Sequence, residues 1–530
     1  MRVHRHPVRV NFRRSLLLNS LVAGLSVTVP WAIGQAQAQS ADEPDRTLQI
    51  VAPWEVNGLQ PASSGFIFTR MQIAETLVDA DEAGNFKPGL AESWQMSDDG
   101  LHWRFTLRPN ARFHDGSRVT AASTLPSLEA ARINPAVLSL APIEAIEADG
   151  DRTVLIRLKS RYGSLPALLT HASTIILAPG GLDAQGKVSR IIATGPYRID
   201  SLQPPQQLTA VRFDQYDGTR PEIARTRYLA ASRAESRALM AESGQADLAY
   251  TLDPASLQRI RTARRLTVES TTLPRTTILK LNAGLPALKD VRMRRALSKS
   301  IDRQGIATAL LRDPEMAAGQ LFPASMPQWH DSTLQPLDYD VSGAQLLLAE
   351  AGWKKDDKGV LRNAAGEAMT LTLRTFADRP ELPSIATALQ DQWRRLGIAI
   401  EVDIGNSGDI PLGHRDGTLE LGLSARNYGN LPDPVGLLAQ DFAPRGGDWG
   451  AMGWNSPALD EILASLTAGT TPEAEAAKRR HEVSAILHSE LPVIPVTWYR
   501  QQVAVGKRVE NVRLDPFERS YRISDMRWRP

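Results

Sequence analysis

The chain contains no cysteine. That excludes disulfides, thiolate metal sites, a cysteine nucleophile and lipid attachment through cysteine. Histidine is sparse, at nine in 530 residues. No H-E-x-x-H pair and no G-x-S-x-G elbow occurs, so a secreted hydrolase would lack its usual motifs. His102, His114 and Asp115 are close in sequence, but they fall in a hairpin and a tight turn. Beyond the N-terminus no stretch is long and apolar enough to cross a membrane. There is no short-period repeat and no low-complexity tract.

What is present begins with the leader. Arg2, Arg5, Arg9, Arg13 and Arg14 precede an apolar segment from Leu16 to about Ile33, and Ala36-Gln37-Ala38 follows. This is the pattern of a secretory signal peptide over residues 1–38, with Gln39 as first mature residue. Asn19, Ser20 and Pro30 interrupt the run, which argues against a membrane anchor. Arg13-Arg14-Ser15-Leu16-Leu17 resembles a twin-arginine export signal. The leader holds five of the 61 basic residues and none of the 59 acidic ones, leaving 56 against 59. The basicity therefore belongs to the leader, and a nucleic-acid partner loses its electrostatic support. The remainder, 42% hydrophobic and 23% charged overall, suits two or three packed domains.

Along the mature chain, Leu48 to Val51 reads as a strand, Asn57 to Gly65 as a loop, and a helix is expected from Thr69 through Val78. Ser97-Asp98-Asp99-Gly100 marks a hairpin leading into the alternating Trp103 to Leu107. Trp94, Trp103 and Phe105 read as core. Thr277 to Leu281 reads as a short strand, and Asp290 as the N-cap of a helix buried through Met293, Ala296, Leu297, Ser300 and Ile301. Arg292, Arg294 and Arg295 read as its solvated face. Met369–Phe376, Leu382–Leu396 and Ile398–Ile404 form a strand–helix–strand crossover, the signature of an α/β domain. Val493–Trp498 and Gln502–Val505 read as two closing strands.

The order of these elements carries a resemblance. Gly89-Leu90-Ala91-Glu92-Ser93-Trp94, Ala111-Arg112-Phe113-His114-Asp115-Gly116, Thr194-Gly195-Pro196-Tyr197, Lys289-Asp290-Val291-Arg292 and Leu348-Ala349-Glu350-Ala351-Gly352-Trp353 stand in sequence. Over nearly all of residues 48–510 the chain resembles the extracytoplasmic solute-binding proteins of ABC importers, the peptide/nickel-binding family (solute-binding family 5). The resemblance implies an α/β, two-lobed periplasmic-binding-protein fold of class II type, with an extra subdomain in the first lobe. Residues 39–83, 195–272 and 495–530 would form lobe I, 84–194 the extra subdomain and 273–494 lobe II. The chain would cross between lobes at Pro274–Leu281 and near Pro492–Trp498, forming the hinge. Such a protein is a periplasmic monomer that catalyses nothing, needs no cofactor or resident metal, and delivers a small solute to an inner-membrane permease and its ATPase.

A peptide or peptide-like solute is expected. In peptide-binding relatives, a loop aligned through Asp433-Pro434 supplies an aspartate for the α-ammonium. This chain has Asn430 there, so Asp409 or Asp433 would have to serve. The alternative is a nickel or other metal chelate, or an opine. Tyr428 stands where the nickel branch has tryptophan, but Val137, Leu140, Ala172 and Gly446 stand where that branch has its chelate- and metal-contacting residues. The candidate ligand-binding residues are Trp54, Asn57, Phe66, Arg70, Asn427, Tyr428 and Asn430. Trp54 and Tyr428 would stack on the ligand, and Arg70 would pair with a carboxylate. Each has a plainer reading: Trp54 and Phe66 as core, Arg70 as a solvated helix residue, Asn427 and Asn430 as turn formers.

Overall fold

The computed structural model describes residues 46–133, 137–183, 185–262, 264–377, 379–444 and 446–529. The signal peptide and its cleavage site lie outside the described residues. The backbone is organised by one ten-stranded sheet. Its order is Ala399–Gly405, Thr370–Phe376, Leu421–Asn427, Leu266–Leu281, Val493–Gly506, Leu248–Tyr250, Thr47–Ala52, Arg225–Ala230, Gln207–Arg212, Tyr197–Gln203. Two long strands in the middle, Leu266–Leu281 and Val493–Gly506, run antiparallel and join the two halves. Their register breaks between Leu273 and Thr276, where Pro274 brings no N–H to the ladder. On one side of the break Leu248–Tyr250 pairs with Val503–Val505. On the other, Leu421–Asn427 pairs with Arg275–Leu281. The fold is thus α/β and two-lobed.

Each half has its own packed interior. One gathers Leu48, Ile50, Phe68, Tyr197, Tyr228 and Tyr250. The other gathers Leu279, Leu297, Leu373, Leu389, Trp393 and Ile494. There the parallel pair Thr370–Phe376 and Ala399–Gly405 is bridged by the helix Glu381–Arg394, the crossover read from sequence. A separate antiparallel sheet, in the order Ala91–Met96, His102–Leu107, Thr153–Leu158, Ile143–Asp149, packs around Trp103, Phe105 and Ile156. Its hairpin turns at Gly100, whose φ of +74° suits glycine.

Three sequence readings need correction. The helix expected from Thr69 occupies Pro61–Arg70 instead. Pro61 opens it, because a first-turn N–H is unpaired anyway and proline's φ is already helical. Gly65 lies inside this helix where a Cβ would come 2.1 Å from the Ala172 carbonyl oxygen, so it serves close packing rather than a loop. The strands expected at Val493–Trp498 and Gln502–Val505 are one continuous strand, as is Leu266–Leu281 around Thr277–Leu281. Arg294 is not solvated. It is 3% exposed and donates to the carbonyls of Leu288, Lys289 and Glu490, saturating the end of the helix Glu473–Glu490. Asp290 does cap its helix, accepting from the Arg292 N–H at 2.9 Å.

Candidate functional site

A cavity of about 630 Å³ opens where the helix Pro61–Arg70, the segment Gln72–Ala80, the turn Thr170–Ala172, the register break and the segment Asp515–Asp525 meet the loop Asn427–Asn430. Its wall is unusually rich in charge. Arg108 donates to Glu75 at 3.1 Å, to both oxygens of Asp217 at 2.9 and 3.1 Å, and to the Gly89 carbonyl at 2.7 Å. Burial works against that guanidinium's charge, but Glu75, with Asp217 adding, outweighs burial and holds its pKa above the ordinary value. Tyr216 donates to Glu75 at 3.1 Å. Arg519 pairs with Asp79 at 2.8 Å, and Arg522 with Glu82 at 2.7 Å. Almost every wall charge is therefore already held in an orientation, so little ordering entropy remains to be lost on binding.

Arg70 closes the helix end of the wall. It is 8% exposed, and its guanidinium carbon lies 4.1 Å from the Trp54 ring centroid and 5.2 Å from that of Phe66. Its Nε donates to the Glu518 carbonyl at 2.7 Å. Arg275, at the register break, pairs with the Glu518 carboxylate at 2.7 Å. Glu518 and Arg522 have φ of +55° and +53°, a left-handed backbone that costs a non-glycine residue about 1–2 kcal/mol.

The facing loop has a different character. Gly429 N–H donates to the Asn427 side-chain oxygen at 2.9 Å, and Asn427 Nδ2 donates to Asn430 Oδ1 at 2.7 Å. The two asparagines thus shape the turn and line the cavity at once. Tyr428 N–H donates to the Pro274 carbonyl at 2.7 Å, which ties the loop to the register break.

A second cavity of about 360 Å³ adjoins the first, sharing His171 and Asn430 with it. Val137, Leu140, Leu168, Leu431 and Leu437 make it apolar, and Asp433 is the one carboxylate among its described lining residues. Burial raises the Asp433 pKa, with Arg480 opposing. Burial and the nearby Asp433 push Tyr162 up to about 12. Burial lowers the His171 pKa, and its Nδ1 lies 2.8 Å from Ser173 Oγ. Burial thus favours the neutral form of the imidazole at the seam of the two cavities.

Of the candidate residues, Phe66, Arg70, Asn427 and Asn430 line the main cavity together. Trp54 does not line it, and its ring instead carries the Arg70 guanidinium. Asn57 is exposed and lines neither cavity. Tyr428 corrects the expectation most sharply. It is 0% exposed, its ring lies edge-on to Phe322 with centroids 5.4 Å apart, and it packs with Trp329 and Phe442. Its ring is held by the interior and cannot stack on a cavity ligand from there.

The sequence reading missed Glu75, Arg108, Asp217 and the whole segment Asp515–Asp525. The available signal was composition: Asp515-Pro516-Phe517-Glu518-Arg519-Ser520-Tyr521-Arg522 mixes charges and aromatics without helical or strand period.

No helix among the described residues is long and apolar enough to cross a membrane. Comparison with known proteins gives a consistent picture. The chain is 24% identical over 486 residues to the nickel-binding periplasmic protein of Escherichia coli K12, covering 88% of this chain and 92% of that one. It is 25% identical over 474 residues to a probable D,D-dipeptide-binding periplasmic protein of the same organism, covering 86% and 88%. Among solved structures, a nickel ABC transporter protein from Bacillus halodurans superimposes with a TM-score of 0.80 at 26% identity, covering 91% of this chain and 100% of that one. A Brucella suis protein crystallised with Fe(III)-EDTA gives 0.81 at 22% identity, covering 92% and 100%, a likeness of fold. The family profile described as bacterial extracellular solute-binding proteins, family 5 middle, matches residues 85–449. This chain belongs to the bacterial extracellular solute-binding proteins of family 5, the periplasmic binding components of ABC importers.

Proposed function

We propose that the chain captures a peptide or peptide-like solute in the charged cavity and delivers it to an inner-membrane permease. The observation that carries this reading is the pairing of two unlike cavities. One is lined by oriented ion pairs, and the other is apolar with one carboxylate, Asp433, among its described lining residues. A peptide carries a carboxylate, an ammonium and apolar side chains on one short frame. Asn430 offers its ammonium no carboxylate, whereas Asp433 does, and a bound ammonium would offset the burial that works against that carboxylate's charge. Asp409, the other acid considered from sequence, accepts from the Asn406 N–H at 2.7 Å and lines neither cavity. Capture works by differential binding: solute that touches both faces stabilises their approach. The crossings at Pro274–Leu281 and near Pro492–Trp498, which include most of the register break, would serve as hinge between lobe I (39–83, 195–272, 495–530, with subdomain 84–194) and lobe II (273–494).

A second reading is a metal chelate, favoured by relatives named for nickel binding. Among the described residues no group of three or more His, Cys, Asp or Glu could hold a metal ion, so the metal would arrive inside a chelator. Native mass spectrometry of protein purified from a periplasmic extract separates the readings. Bound masses that fragment as peptides are expected. A metal–chelator mass would overturn the peptide reading, and turnover of model peptides at enzyme-like rates would overturn both.

A further inference from the structure

Arg70 and Arg275 come from the helix Pro61–Arg70 and from the register break, yet both converge on Glu518. Arg275 Nη2 donates to Glu518 Oε2 at 2.7 Å. Arg70 Nη2 lies 3.7 Å from Oε1, beyond hydrogen-bond distance, and reaches the backbone carbonyl of Glu518 through Nε. Two guanidiniums thus share one carboxylate. The sharing is incomplete: Arg275 Nε is buried without a hydrogen-bond partner among the described residues, and Arg70, although the Tyr521 hydroxyl stands beside it, leaves Nη1 outside hydrogen-bond geometry. A guanidinium fork is satisfied by a planar anion, and a buried donor left unmade costs about 1–3 kcal/mol. Arg70 is nine-tenths buried and clamped against Trp54 and Phe66, so it cannot turn away to water. Glu518 meanwhile reaches the pair from a left-handed backbone. The other acid of this turn, Asp515, is committed elsewhere, accepting from the N–H groups of Phe517, Arg519 and Ser520.

We propose that Glu518 holds the place of the solute's carboxylate: in the loaded protein the solute's carboxylate takes the Arg70–Arg275 pair and the Glu518 side chain leaves it. This rests on the reading of the cavity as the solute site, and it assigns that site a carboxylate-bearing solute. It also supplies a link between binding and closure. Arg275 is part of the register break, and its guanidinium lies 5.4 Å from the ring of Tyr499 on the opposite strand. A solute that engages Arg275 therefore acts directly on the segment about which the halves would move.

The test needs no knowledge of the natural solute. Wild type, Glu518→Gln and the double variant Glu518→Gln/Arg275→Gln are titrated calorimetrically with sodium acetate at constant ionic strength, and with acetamide as the neutral isostere. Acetate is expected to bind Glu518→Gln at least tenfold more tightly than wild type, acetamide to bind neither, and the Arg275 substitution to abolish the gain. Equal acetate affinity in wild type and Glu518→Gln, or equal response to acetamide, overturns the proposal. If Glu518→Gln does not fold, a wild-type crystal soaked in acetate decides. Acetate between the two guanidiniums with Glu518 withdrawn supports it; Glu518 still on Arg275 at saturating acetate overturns it. A non-peptide co-purified solute would defeat the peptide reading while leaving the acetate result intact.

Discussion

On its helix side the main cavity presents Arg70, Glu75, Arg108 and Glu518, locked in ion pairs; on its loop side it presents Asn427, Gly429 and Asn430, with no charge at all. The first face is fixed by electrostatics before any solute arrives. The second is fixed by packing, because Tyr428 is buried behind it and Gly429 lies against Pro274, whose Cγ would be 2.9 Å from an added Cβ. On the proposed reading the labour is divided: the charged face would select the solute's charge, and the loop face, tied to the register break through Tyr428 and Pro274, would cover what has been selected. In water a lone exposed ion pair contributes little, but pairs as little exposed as Arg70, Arg275 and Glu518 keep more of both orientation and strength.

The largest effect is expected at Tyr428, whose ring packs the loop face. Tyr428→Ala empties core volume beside Phe322 and should lower the unfolding free energy by about 3–5 kcal/mol, measured by urea denaturation. A change below 1 kcal/mol would show that packing does not fix the loop face. Next is Arg70→Ala, which removes one of two cations from Glu518. Solute affinity should fall at least about 100-fold by calorimetry, close to 3 kcal/mol, while Asn427→Ala costs about tenfold or less.

Stability should respond to pH through His114, which lines neither cavity, whose Nε2 lies 3.0 Å from the Gly195 carbonyl and whose pKa burial lowers to about 4. The unfolded imidazole titrates near 6.5. Between those values the unfolded chain binds more protons than the native one, so stability falls as pH drops from about 6.5 to about 4, by about 3 kcal/mol. His114→Gln should flatten that part of the stability–pH curve. An unchanged slope would remove His114 as its source. The smallest expected effect sharpens the comparison. Asn430→Asp gives the loop face a charge and should favour ammonium-bearing solutes by about tenfold, seen as a changed spectrum of co-purified masses.

Much of the fold was legible because its signals are local. Asp290 as an N-cap, Asp99-Gly100 as a turn and the period of Leu382–Leu396 depend only on near neighbours. The helix Pro61–Arg70 was not, because Gly65 and Ser63-Ser64 look like loop until Ala172 is brought against them. The Arg294 error has the same origin: its carbonyl partner on Glu490 is 196 residues away. The lining of the main cavity was half legible. Arg70 and Asn430 announce themselves by type and place in a loop or helix end. Arg275, Glu518 and Arg108 acquire meaning only through partners 243 residues apart in one case and 109 in another. Tyr428 misled because an aromatic beside two asparagines reads equally well as ligand platform or loop anchor.

The central claim is that the charged face selects and the loop face closes. Small-angle scattering tests it most directly, on protein stripped of solute by unfolding and refolding, then given back the solute it released. Adding solute should give wild type a smaller radius of gyration and leave Arg70→Ala uncontracted at the same concentration. An unchanged radius in wild type at saturating solute, or equal contraction in both proteins, would contradict it.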